Sequence, residues 1–137
     1  MNLFQALFSF QGRLNRKGFW QALGLHFALL FIVANFVYQQ TFSAWLLLPL
    51  LVSGYSFLAV AAKRLHDRNR SAKALSILLV PIICYLTSLK AEGTMAWILG
   101  VSLPLFIGTM LLLEWGCFAG HPEPNQYGEK GQSLRFK

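Results

Sequence analysis

Four apolar runs of about 20 residues each, parted by short polar segments, constrain this chain more than any other feature. They cover about 18–38, 42–62, 73–89 and 95–115. Each is near the ~20 residues that a helix needs to cross the hydrocarbon core of a bilayer. The runs are continuously apolar and lack the in-out alternation of a membrane barrel strand, so they predict helices. Only 12% of the 137 residues are charged, about half the usual share of a soluble domain, too few to clothe a water-facing surface of this size. The expected fold class is therefore all-α: a polytopic membrane protein with four transmembrane helices in a single membrane domain, residues 1–137.

The charges that remain lie at the ends of the runs. Arg13, Arg16 and Lys17 precede the first. Lys63, Arg64, Arg68, Arg70 and Lys73 lie between the second and third. Lys130, Arg135 and Lys137 are in the tail. With four spans these three groups share one side, and of the twelve Lys and Arg only Lys90 falls on the other. Lys and Arg bias loops to the cytoplasm, so both termini are expected inside. The net charge of +7 follows this topology. No basic polar domain is present to grip a duplex, so nucleic acid is not an expected partner. The first run is too long for a signal-peptide core, and no small-residue cleavage site follows it. Before it, Leu3, Phe4, Leu7 and Phe8 recur at helical spacing and predict a short N-terminal interfacial helix. After the last run, residues 120–137 form a Pro/Gly-rich polar tail, expected to be extended or turn-rich and cytoplasmic.

Several polar residues invite a function. Asn15 suits the N-cap of the first helix. Arg16 and Lys17 then oppose the helix dipole, so either insertion orientation or a bound phosphate must favour them. In "RLHDRNRS", His66 and Asp67 suggest a catalytic pair, but adjacent helical residues point about 100° apart and form no relay by themselves. Asp67 is expected to pair with Arg64, Arg68 or Arg70, His66 to hydrogen-bond at the interface, and Ser71 to cap the third span. His26 lies within the first span, where an ionisable residue is a functional candidate by default; its structural alternative is a hydrogen bond across helices to Ser53, Tyr55 or Ser56. Glu114 ends the fourth span and can reach the Arg-rich loop if the second and fourth helices end close together. Pro49, Pro81 and Pro104 predict kinks in the last three spans. Cys84 and Cys117 differ too much in depth for a disulfide. No metal-ligand or nucleotide-binding spacing is present, so neither metal nor cofactor is expected.

"FSFQGRLNRKGFW", "KRLHDRNRS" and the tail "NQYG" resemble the three marks of the YhaH-like family of small bacterial inner-membrane proteins, domain of unknown function 805. The resemblance covers the whole chain. This chain departs from it at Asn15 and Gly18, where the family often has Ser and Glu, at Ala72-Lys73-Ala74, where Gly and Trp are frequent, and at the "GHPEP" of the tail. It implies the four-span architecture, a bacterial inner-membrane location, and no catalytic residue. The residues then point to a non-enzymatic membrane protein. Arg13, Arg16, Lys17, Lys63, Arg64, Arg68 and Arg70 would bind anionic phospholipid headgroups or a membrane partner, including a second copy. A small transporter or channel subunit is the alternative, resting on His26 and the three prolines. An enzyme acting on a lipid phosphate, through Asp67 and Glu114, is a third.

Overall fold

The computed structural model describes residues 1–39 and 43–136. Among these residues the regular elements are all helical, and extended pairing is limited to isolated bridges such as Asn2 with Arg135 and Leu14 with Gln132. The chain forms two compact units, Met1–Ala72 with Ala119–Lys137, and Lys73–Phe118.

The first unit holds α1 (Leu3–Phe8), α2 (Arg16–Tyr38) and α3 (Leu47–Asp67). The apolar pattern at Leu3, Phe4, Leu7 and Phe8 does produce α1, which turns Ala6 inward. Asn15 opens α2: its Oδ1 accepts from the Gly18 backbone N–H at 2.8 Å. α2 and α3 pack on small faces. Ala22, His26 and Val33 are buried on α2, and Ser53, Ser56 and Ala59 on α3. Small residues let helix backbones approach closely, which matters in lipid because hydrocarbon solvates a large apolar side chain as well as a neighbouring helix does.

The helix of the expected second span, about 42–62, runs past that bound: α3 carries Lys63 and Arg64 and continues through Asp67. It stops at Asn69, whose φ of 56° is left-handed. Arg70 N–H donates to Leu65 O at 2.9 Å and Asn69 N–H to His66 O at 3.0 Å, the paired bonds of a Schellman stop. The predicted start of that span at Phe42 lies outside the described residues.

The second unit holds α4 (Leu79–Ser88), α5 (Gly93–Trp97) and α6 (Leu103–Cys117). A 3-10 segment, Ala72–Leu78, leads into α4, and a π-helical segment, Ile98–Ser102, joins α5 to α6. Among the described residues three helical stretches are long and apolar enough to cross a membrane: Arg16–Tyr38, Ala44–Asp67 and Gly93–Cys117; Ala72–Ser88 is apolar but shorter. The prolines explain the changes of helix type. Pro49, Pro81 and Pro104 each fall within the first three residues of α3, α4 and α6, directly after a 3-10 or π segment. A proline there removes an N–H that has no i−4 partner anyway. Each proline thus marks a restart of the α-helix.

Candidate functional site

The three polar motifs, far apart in sequence, meet in one buried knot at the C-terminal end of α3. Arg64 and Lys63 are fully buried, Arg13 is 3% exposed and Asp67 4%. Such burial is tolerated only where each charge finds partners. Asp67 lies between two guanidinium groups: Arg13 Nε is 3.2 Å from Oδ1, and Arg64 Nη1 is 2.5 Å from Oδ2. Carbonyls take up the remaining donors. Arg13 Nη1 donates to Glu123 O at 2.8 Å and Gly128 O at 3.1 Å, and Nη2 to His121 O at 2.5 Å. Lys63 Nζ donates to Gln5 O at 2.7 Å and to Ala6 O, carbonyls of the last turn of α1, where Gln5 O also accepts from Ser9 N–H at 3.2 Å. Arg64 Nη1 also reaches Leu14 O at 3.4 Å.

The tail closes the knot. "NQYG" is a tight turn in which Asn125 and Gly128 exchange backbone hydrogen bonds of 3.1 and 3.0 Å. Asn125 Oδ1 accepts from Tyr127 N–H, and its Nδ2 donates to His66 O at 2.9 Å. The Tyr127 ring stacks on His66, with centroids 3.8 Å apart and planes 2° from parallel. His66 Nδ1 donates to Gly12 O at 3.2 Å. His121 N–H donates to Asp67 O at 2.6 Å, closing the last carbonyl of α3. Gln132 N–H donates to Arg13 O and Asn15 N–H to Gln132 O, both at 3.0 Å. Two glycines make this approach possible. A Cβ on Gly120 would lie 1.9 Å from Asp67 Oδ2, and one on Gly131 2.2 Å from Oδ1.

Burial sorts the basic residues into two groups. Arg13, Lys63 and Arg64 turn inward, while Arg16, Lys17 and Arg70 are exposed and Arg68 is partly so. Ser71 is exposed just before the 3-10 segment, and Glu114 is partly exposed on α6 in the other unit. His66 and Asp67 face different partners and form no relay. His26 is buried in α2, and its Nδ1 lies 2.7 Å from Ala22 O of its own helix. Among the described residues no group of three His, Cys, Asp or Glu could hold a metal ion. Sequence reasoning missed the tail's part. The usable signals were Asn125 and Gly128 as turn residues, Asn69 as a helix stop, and Gly120 with Gly131 as points of close approach.

A family model described as DUF805, protein of unknown function, matches residues 7–129. The chain belongs to the DUF805 family. It is 38% identical over 144 residues to the uncharacterised protein YiiR of Escherichia coli K12, covering 100% of this chain and 95% of that relative. The YiiR protein of Escherichia coli O157:H7 matches to the same extent. These matches support the DUF805 assignment and do not carry the narrower YhaH-like name. No solved structure gives a significant match. The matched region takes in all three motifs, while Gln5, Ala6, Gly131 and Gln132 of the knot lie just outside it.

Proposed function

We propose that this DUF805 protein is a non-enzymatic, multi-pass protein of the bacterial inner membrane that holds anionic lipid headgroups against an exposed basic rim. One observation carries the reading. The knot takes Arg13, Lys63 and Arg64 inward, while Arg16, Lys17, Arg68 and Arg70 remain outward at the same ends of α2 and α3. The knot supplies a rigid base and the rim supplies the charge. Each basic residue near an anionic surface contributes about 1 kcal/mol.

Four spans with both termini inside fit the path of the chain. It leaves the first unit after Ala72 and re-enters it at Ala119, which supports an even number of crossings for residues 73–118. Gly93–Cys117 is long enough for one crossing. For the other, the seven 3-10 residues of Ala72–Leu78 at ~2.0 Å and the ten of α4 at ~1.5 Å reach about 29 Å, close to a ~30 Å core.

The test is lipid retention. Protein purified from native membranes is compared with a variant carrying Gln at Arg16, Lys17, Arg68 and Arg70. The variant is expected to lose bound phosphatidylglycerol and cardiolipin, by about fivefold per charge removed. Equal anionic lipid on both proteins would sink the proposal.

A further inference from the structure

A second polar cluster lies within the membrane-spanning part of the first unit. A cavity of about 90 Å³ opens where Leu7 and Phe8 of α1 meet α2 and α3. Its walls are apolar, with Leu25 and Val52 among them, except for His26, Ser53 and Ser56. These three side chains are only 6%, 7% and 4% exposed. His26 is ~15 Å along α2 from Arg16, well into the hydrocarbon.

Two features show unused hydrogen-bonding capacity. Ser56 Oγ is buried without a hydrogen-bond partner. On α4 and α6, Thr87 Oγ1 donates to Ile83 O at 2.7 Å and Thr109 Oγ1 to Leu105 O at 2.8 Å. Ser56 makes no such bond. Buried polar groups without a partner are rare, and one beside a cavity commonly marks a missing ligand or water. His26 contributes the complementary group. Its Nδ1 faces a carbonyl, which can only accept, so Nδ1 carries a hydrogen, and the tautomer that this bond selects has its lone pair at Nε2. Phe57, edge-on with its centroid 6.1 Å away, supports that ring.

An acceptor and a hydroxyl in a hydrocarbon wall fit one ligand chemistry. We propose that the cavity binds the hydroxyl end of a membrane-borne alcohol, its O–H donating to His26 Nε2 and its oxygen accepting from Ser56 Oγ. The volume holds the hydroxyl and its first methylenes. The rest of the chain lies in the surrounding hydrocarbon, since Leu25 and Val52 of the wall are themselves 37% and 43% exposed. Water alone satisfies the two polar groups but leaves the apolar wall unfilled. This proposal is independent of headgroup binding at the basic rim.

The experiment uses the full chain in lipid nanodiscs and a diazirine-bearing dodecanol as photolabel. Labelling is expected on peptides that include residues 25–29 or 52–56. Excess 1-dodecanol is expected to suppress it about fivefold, as is Ser56→Ala, the loss of one hydrogen bond. Methyl dodecyl ether, which has no O–H to donate, leaves the label in place. Labelling elsewhere, equal competition by the ether, or full labelling of Ser56→Ala would overturn the proposal. Thermal melts in detergent give a second arm. Dodecanol is expected to raise the midpoint of the parent protein and not that of Ser56→Ala. If Ser56→Ala is the more stable protein with dodecanol present, the cavity is dry; if dodecanol shifts neither protein, it holds only water. Either result overturns the proposal.

Discussion

The two units are built from similarly apolar helices and are held together by different means. In residues 73–118, α4 and α5 bury no residue. Their large side chains, such as Ile83, Leu86 and Trp97, are exposed, and the Thr87 and Ser88 hydroxyls donate to carbonyls of their own helix. In the other unit a carboxylate, two guanidinium groups and an ammonium are buried together and saturated by carbonyls from three distant segments. The difference follows from the solvent. Lipid tails compete with helix neighbours for apolar contact, so apolar area specifies little in a membrane. A polar group deprived of water must find its partner, and that requirement fixes one arrangement.

The contrast can be broken most strongly at Asp67. Asp67→Asn leaves Arg13 and Arg64 buried without a counter-charge, and removing one partner of a buried pair costs about 3–5 kcal/mol. Hydrogen exchange is expected to show lost protection at residues 119–135 and none at α4. Equal loss in both units would show that the knot does not stabilise one of them selectively. Gly120→Ala is next. Its Cβ would meet Asp67 Oδ2 at 1.9 Å, and forced overpacking costs about 1–3 kcal/mol. Gly108→Ala in α6, where nothing lies within 4 Å of the new Cβ, is expected to be neutral or to stabilise by up to about 1 kcal/mol. Thermal melts of the two variants side by side check the pair. The smallest effect belongs to the ring stack. Tyr127→Ala is expected to cost about 1 kcal/mol and Tyr127→Phe almost nothing, because the contact with His66 is between ring faces. Faster proteolysis of the tail in Tyr127→Ala alone would sharpen the assignment.

Local signals were legible where the physics is local. Asn15 can cap a helix because the N–H groups it serves are three residues away. Arg64 and Asp67, three apart, share a face of one helix. Arg13 and Asp67 are 54 residues apart, and no spacing rule connects them. Gly18 shows the same limit. A Glu there would complete a capping box with Asn15, yet a Cβ at Gly18 would lie 2.9 Å from Gln132 O and 2.7 Å from Leu14 Cδ1. Its neighbour in the tail is invisible from the motif alone. The third apolar run, expected at about 73–89, corresponds to the helical stretch Ala72–Ser88, in which a 3-10 segment precedes α4 and its Pro81.

By itself the sequence determined the solvent and the class. Long uncharged runs demand a bilayer and helices, since every backbone group in hydrocarbon must be satisfied within its own segment. Only the tertiary structure decided what the charges do. Four similar basic residues at the end of one span and the start of another look alike as text. In three dimensions Arg13, Lys63 and Arg64 turn inward to carbonyls and a carboxylate, and Arg16 stays outside. For Arg13 that choice depends on tail carbonyls, His121 O among them, 108 residues away in sequence, and for Lys63 on Ala6 O, 57 residues away, because a buried charge is stable only where distant partners are brought to it.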